Sequence, residues 1–284
     1  MSESDKYPMD SGRRRFVKGV VGGATLVGAG ATGATTINLA TAPAGEGGGA
    51  TEMMAIEQTG GPAPNGMPQI PIEIDDEGFL KGVWPEVKTE TQEGVQIKVA
   101  EMNLGGVTYS GEWFQYCGLE SYGGIDPQAE EDNFLRSDAN PPYSWQSDAY
   151  SEGDKLHVDD FSDYKEWGNE VGADGVGKPA TGTWRSQESD DTLPIQVIRS
   201  ERIEQKVQND EWLQASTQNG FIAWMNKCTH FCCVPGYKQT ADAARYGAAN
   251  GVYCQCHQST YDPFTIVQEL FIARPRPTDS DDEE

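Results

Sequence analysis

Apolar and polar residues alternate at Pro71-Ile72-Glu73-Ile74-Asp75, at Val95-Gln96-Ile97-Lys98-Val99 and at Pro194-Ile195-Gln196-Val197-Ile198. A period of two turns one face of a segment to a core and the other to water, so these segments are predicted to be half-buried strands. Phe221-Ile222-Ala223-Trp224-Met225 is apolar throughout and predicts a more deeply buried strand, and Val252-Tyr253 a short one. No long stretch has helical period. The expectation is an all-β domain of antiparallel sheets over residues 71–277, with the buried strand and the short one each leading into a loop.

Other stretches interrupt this pattern. Residues 44–70 are dense in Gly, Pro, Ala and Thr, with Gly47-Gly48-Gly49 and Gly60-Gly61-Pro62-Ala63-Pro64-Asn65-Gly66 as the clearest runs, a composition that predicts a flexible tether. Between Leu119 and Ala180 stand 15 acidic and four basic residues among many Asp, Gly and Ser. That segment reads as an insertion between core strands, and Phe134, Tyr143, Trp145, Phe161, Tyr164 and Trp167 predict that it packs on the domain. The acidic tail 278–284 is expected to be solvated.

The chain has 284 residues, 45 acidic and 21 basic, for a formal charge of −24. Such an excess goes far beyond what solubility at ordinary salt requires and points to a halophilic source, where a Debye length of about 3 Å or less screens self-repulsion. It also excludes nucleic acid as a partner. Seven Trp, eleven Tyr and nine Phe argue for a real core rather than a disordered acidic chain.

The first 43 residues read as targeting. Gly12-Arg13-Arg14-Arg15-Phe16 has the form of a twin-arginine export signal, with Arg13 and Arg14 as the pair. The 24 uncharged residues from Gly19 to Ala42 are long enough to cross about 30 Å of hydrocarbon as a single N-terminal anchor helix, though weakly hydrophobic, and Ala40-Thr41-Ala42 offers a cleavage site. The expectation is an uncleaved anchor in the cell membrane, with the folded domain on the extracytoplasmic face.

Candidate chemistry is concentrated in two stretches within 228–264: Cys228-Thr229-His230-Phe231-Cys232-Cys233 and Cys254-Gln255-Cys256-His257-Gln258-Ser259-Thr260-Tyr261. They hold two of the three histidines and five of the six cysteines. A [2Fe–2S] centre with two imidazoles on one iron needs two cysteines and two histidines from two facing loops, and these stretches supply them. A structural Cys2His2 zinc site uses the same four residue types. Zinc explains neither the extra cysteine in each stretch nor the Ser-x-Tyr that ends the second.

Together the stretches resemble the Rieske iron–sulfur family, and within it the high-potential subunit of cytochrome bc-type complexes. The resemblance implies a Rieske fold with two cluster-binding loops at one tip and one [2Fe–2S] cluster. It implies that Cys228 and Cys254 hold one iron, that His230 and His257 hold the outer, reducible iron, and that Cys233 and Cys256 form a bridging cystine. Ser259 and Tyr261 would donate hydrogen bonds to a bridging sulfide and a ligand thiolate, raising the potential within the Rieske span of roughly −150 to +300 mV. Arg274-Pro275-Arg276-Pro277 resembles loosely the proline-rich segment that covers the cluster. Cys232 and Gln258 depart from the family pattern, since both stand where it has glycine.

By the same resemblance the chain would be the redox subunit of a quinol-oxidising complex, without a complete active site of its own. Its partners would be a cytochrome b subunit and quinol, with a cytochrome c or small copper protein as acceptor. His257 would contact the quinol and couple proton to electron uptake. The alternatives are the small subunit of an exported molybdenum oxidase of the arsenite oxidase type, and a soluble Rieske ferredoxin; the export signal and the extra cysteines count against the latter. Cys117 and Cys232 have no place in the scheme and read as buried free thiols, with a second disulfide the alternative. His157 reads as a surface histidine. With only that histidine outside the two stretches, the chain lacks the residues for the mononuclear iron site of a Rieske oxygenase.

Overall fold

The computed structural model describes residues 49–85, 87–92, 95–117, 132–185 and 193–273. The chain divides into two compact units, Met1–Thr41 and Ala42–Glu284, and every described residue belongs to the second. Arg13 and Arg14, the apolar stretch 19–42, Arg274–Pro277 and the acidic tail lie outside the described residues. Among the described residues no helix is long and apolar enough to cross a membrane.

The domain is mostly β, as the alternation predicts, and its strands pair antiparallel. The main sheet contains β1 (Gly49–Gly60), β2 (Met67–Ile70), β8 (Arg136–Ser137), β9 (Lys178–Trp184), β10 (Leu193–Arg199), β11 (Phe221–Met225), β12 (Gly236–Tyr237), β13 (Val252–Cys254) and β14 (Ser259–Ala273). Its nine strands run in the order β12-β13-β14-β1-β2-β11-β10-β9-β8. A second sheet joins β5 (Val87–Gln92), β6 (Val95–Leu104) and β7 (Val107–Ser110), and a small ribbon pairs β3 (Ile72–Ile74) with β4 (Leu80–Gly82). Short helices α1 (Ser144–Ala149), α2 (Glu201–Lys206) and α3 (Glu211–Ser216) lie outside the sheets.

All five residues of β11 are buried, which matches its unbroken apolar run. β10 buries Leu193, Ile195, Val197 and Ile198. The rings of Trp84, Tyr109, Trp113, Phe114, Trp184 and Trp212 pack with centroids 5.1–6.5 Å apart. Offset and edge contacts of this kind add about 0.5–1.5 kcal/mol per pair to the burial itself.

The expected tether is corrected by the structure over most of its length. Residues 49–60 and 67–70 are strands, and β1 lies inside the sheet between β14 and β2. Met53, Ala55, Ile56, Met67 and Ile70 are fully buried. The physical reason is that glycine and proline mark only the ends and the connection of this pair: 61–66 joins β1 to β2, which pair Ala55 with Pro68 and Ile56 with Met67. Gly66 belongs to the close approach, since a Cβ there would stand 2.1 Å from the Ile56 carbonyl oxygen. The folded domain therefore begins by residue 49 rather than 71.

The acidic segment packs on the sheet as its aromatic residues predict, over its described part, 132–180. Tyr143, Phe161, Tyr164 and Trp167 are buried. Gln146 donates to the Thr181 carbonyl at 2.7 Å and accepts from the Thr181 N–H at 3.0 Å, while the Tyr143 hydroxyl donates to the Tyr237 carbonyl at 2.6 Å. The end of the segment, from Lys178, is itself the start of β9.

Under β2, fully buried Gln69 accepts from Trp212 Nε1 at 2.6 Å and donates to Ser216 Oγ at 3.0 Å. Gln69→Leu keeps the volume but strands both partners, so we expect a loss of roughly 1–3 kcal/mol. Denaturant unfolding should show a lower midpoint at unchanged slope.

Candidate metal centre

Two loops with the same backbone closure build the site. The first follows β11, and the second is the turn between β13 and β14. In the first, the Cys232 N–H bonds the Cys228 carbonyl at 3.0 Å; in the second, the Gln258 N–H bonds the Cys254 carbonyl at 2.9 Å. Each closing residue is left-handed, with φ of 59° at Cys232 and 60° at Gln258. These are the two positions where the family pattern has glycine. A non-glycine residue there costs roughly 1–2 kcal/mol, so the tertiary contacts of the loops must hold the conformation.

The closures bring Cys228 and Cys254 together as buried free thiols, each 1 % exposed. Cys254 donates to Cys228, and this bond holds Cys228 below the ordinary thiol range, against the opposing effect of burial. The Tyr261 hydroxyl, 3.1 Å from Cys228 Sγ, and the N–H groups of His230 and Phe231 also stabilise the thiolate. Cys254 is pushed up because it keeps its proton to hydrogen-bond Cys228 and is buried, with the N–H groups of Cys256 and His257 opposing. The site thus surrounds sulfur with donors, the environment that favours extra negative charge.

The imidazoles form a second pair. His230 and His257 stand with ring centroids 4.8 Å apart and planes at 83°. His257 is exposed and His230 half-buried, yet His230 Nδ1 is itself buried and makes no hydrogen bond. A buried ring nitrogen without a partner is costly unless it binds a ligand.

The cystine Cys233–Cys256, with Cα atoms 6.6 Å apart, ties the loops across the pair. Its sulfurs and Cys254 Sγ lie within 4.8 Å of one another, but a cystine offers no thiolate, so only Cys254 of these three is a ligand. No other group of three His, Cys, Asp or Glu donor atoms comes that close among the described residues. One tetrahedral ion with bonds of about 2.0–2.3 Å would draw two thiolates and two imidazoles within about 4 Å of each other. Here the thiols form one pair and the imidazoles another, on the same two loops.

Every described site residue predicted from sequence, Cys228, His230, Cys254, His257, Ser259 and Tyr261, lies in these two loops or at the start of β14. Ser259 is fully buried; its hydroxyl accepts from the Ala63 N–H at 3.2 Å and keeps its own proton for donation. Cys117 and Cys232 are not the buried free thiols expected: they form a second disulfide, with Cα atoms 5.6 Å apart, and Cys232 is exposed. Their separation by 115 positions hid the pairing, since only the tertiary fold brings them within reach.

Two contacts were missed from sequence. The segment 60–66 lies against both loops: a Cβ on Gly61 would stand 2.5 Å from Ser259 Cα, and Thr229 Oγ1 donates to the Asn65 carbonyl at 2.7 Å. Its Gly-Pro-Ala-Pro run was a visible signal, read as linker. Below the first loop, Tyr116 donates to the Lys227 carbonyl at 2.7 Å, and burial, followed by the nearby Cys228 sulfur, pushes its phenol up. No local sequence signal marks that tyrosine.

Comparison of the chain with protein-family models, with curated proteins and with solved structures returns no match.

Alkylation of metal-free protein in denaturant without reductant should mark Cys228 and Cys254 alone; labelling of any other cysteine overturns a disulfide. Gly61→Ala should displace the second loop, because its φ of +82° and the Ser259 backbone leave no room for a side chain. Faster alkylation of Cys254 in native, metal-free protein at retained β-sheet circular dichroism would report it.

Proposed function

We propose that this chain is the electron-transfer subunit of a membrane quinol-oxidising complex of the cytochrome bc type, a Rieske-type domain whose one [2Fe–2S] centre is held by Cys228, Cys254, His230 and His257. The observation that carries this reading is that the same two loops hold a buried, hydrogen-bonded thiol pair and an imidazole pair that reaches solvent. Such a centre, when bound, supplies one-electron exchange at a potential set by its ligands and their hydrogen bonds.

The chain's own residues prepare the rest. Tyr261 and the four backbone N–H groups around Cys228 and Cys254 favour added electron density on sulfur, which supports a potential in the upper part of the family's range. His257, exposed at the tip, is placed to accept a hydrogen bond from a quinol hydroxyl and to take its proton.

The surface around it suits an apolar partner. None of the residues 60–66, 228–236 or 254–261 carries a formal charge, in a chain with 45 acidic residues. Phe231 and Val234 are 66 % and 59 % exposed beside the imidazoles, with the Phe231 ring 4.3 Å from that of His230 and 5.2 Å from that of His257. Exposed aromatic and aliphatic side chains in a charge-free zone are what docking against a cytochrome b quinol pocket requires. A cytochrome c or small copper protein would receive the electron afterwards.

The two cystines suit an oxidising, extracytoplasmic setting, to which Arg13-Arg14 would direct the folded domain and the 19–42 stretch would tether it.

Low-temperature EPR of the reduced protein during a redox titration tests the proposal. Ser259→Ala and Tyr261→Phe should each lower the midpoint potential with the cluster still assembled. Purified protein that is colourless and lacks stoichiometric iron and acid-labile sulfide refutes the reading.

A further inference from the structure

The sequence Tyr116-Cys117 lies more than a hundred residues before the two Cys/His loops, yet it meets the first of them at two adjacent points. The Tyr116 hydroxyl bonds the carbonyl of Lys227, the residue just before Cys228. Cys117 is joined to Cys232, whose N–H closes the loop onto the Cys228 carbonyl. The two contacts therefore grip the loop on either side of the His230 and Phe231 N–H groups that point at Cys228 sulfur.

The base of this grip is rigid. Tyr116 is 7 % exposed and its ring stands 5.6 Å from that of Phe271 in β14. Just before it, Trp113 and Phe114 are fully buried in the aromatic cluster. Both cysteines of the disulfide hold left-handed backbone, φ of 60° at Cys117 and 59° at Cys232. Neither is glycine, so the bond and the packing beneath it hold two conformations that each residue alone would resist.

We propose that Tyr116 and the Cys117–Cys232 disulfide form a strut of positioning residues that orients the first loop on the domain and so tunes the redox centre at Cys228. The inference rests on the proposed iron–sulfur function. Releasing the strut lets the peptide units 227–232 rotate, which weakens the two amide bonds to Cys228 sulfur. Added negative charge on that sulfur is then less stabilised, so the midpoint potential falls.

The test compares full-length, cluster-loaded protein with Tyr116→Phe and with the double variant Cys117→Ser/Cys232→Gly. Glycine at 232 accepts the left-handed backbone, which removes the tie without adding strain. The expected result is a lower midpoint potential and broadened EPR features in both variants. Combining all three substitutions should give less than the sum of the separate shifts, because one strut cannot be released twice. Gln69→Leu, which lowers stability from under β2, should leave potential and spectrum at wild-type values.

Wild-type potential and spectrum in both strut variants overturn the proposal. Wild-type protein without iron and labile sulfide refutes the proposed function instead. The strut is then read in metal-free protein from the rate at which iodoacetamide alkylates Cys228 and Cys254 under native conditions. Faster labelling in both variants supports it, and unchanged labelling overturns it.

Discussion

Two buried thiols brought against each other at Cys228 and Cys254 are the constraint around which this domain is arranged. Burial disfavours a thiolate, and the structure answers with a set of donors: the Cys254 thiol, the Tyr261 hydroxyl and the N–H groups of His230 and Phe231. Each donor comes with a structural obligation. Cys254 has to arrive on the β13–β14 turn, Tyr261 from within β14, and the two amides from a loop bent tightly enough to aim consecutive N–H groups at one atom. The left-handed residues at 232 and 258 are the cost of that bend.

Those obligations explain why the loops are held from so many sides. The Cys233–Cys256 cystine links one loop to the other, Cys117–Cys232 links the first to the segment after β7, and residues 60–66 lie against both. In a chain-entropy picture a cross-link closing a loop of about 100 residues removes about 4–5 kcal/mol of unfolded-state freedom, more than enough to offset two strained residues. The support ends in the sheet itself, where β14 runs from Ser259 beside the site to Ala273 against Gly49, and so ties the second loop to the first strand of the domain.

Charge is distributed against this background with a clear division. Residues 60–66, 228–236 and 254–261 include none of the 45 acidic residues, and the Glu269 carboxylate meets their edge at the Gly66 N–H, 2.8 Å away. A hydrated carboxylate surface keeps the chain dispersed, but it would oppose any apolar partner. Phe231 and Val234 are exposed in those acid-free segments, and Leu270 and Ile272 are exposed on β14.

Much of the site was legible in the sequence because its chemistry is local. Cys-x-His and Cys-x-Cys-His each place their donors within one turn, and Ser259 and Tyr261 follow two and four residues after His257, so spacing alone marks them together. The strands at 72–74, 194–198, 221–225 and 252–254 were likewise visible, since alternation or an unbroken apolar run survives in any context. The β1–β2 pair was not: its glycines and prolines dominate composition, while its burial depends on β14 and β11, which are distant in sequence. The Cys117–Cys232 bond, the Tyr116 contact and the seat of Gly61 on Ser259 also join residues 111 to roughly 200 positions apart. Which atoms are chemically able to bind metal follows from residue type and short spacing, and both can be read along the chain. How those atoms are paired, buried and braced follows from distant strands brought side by side, and emerges only on folding.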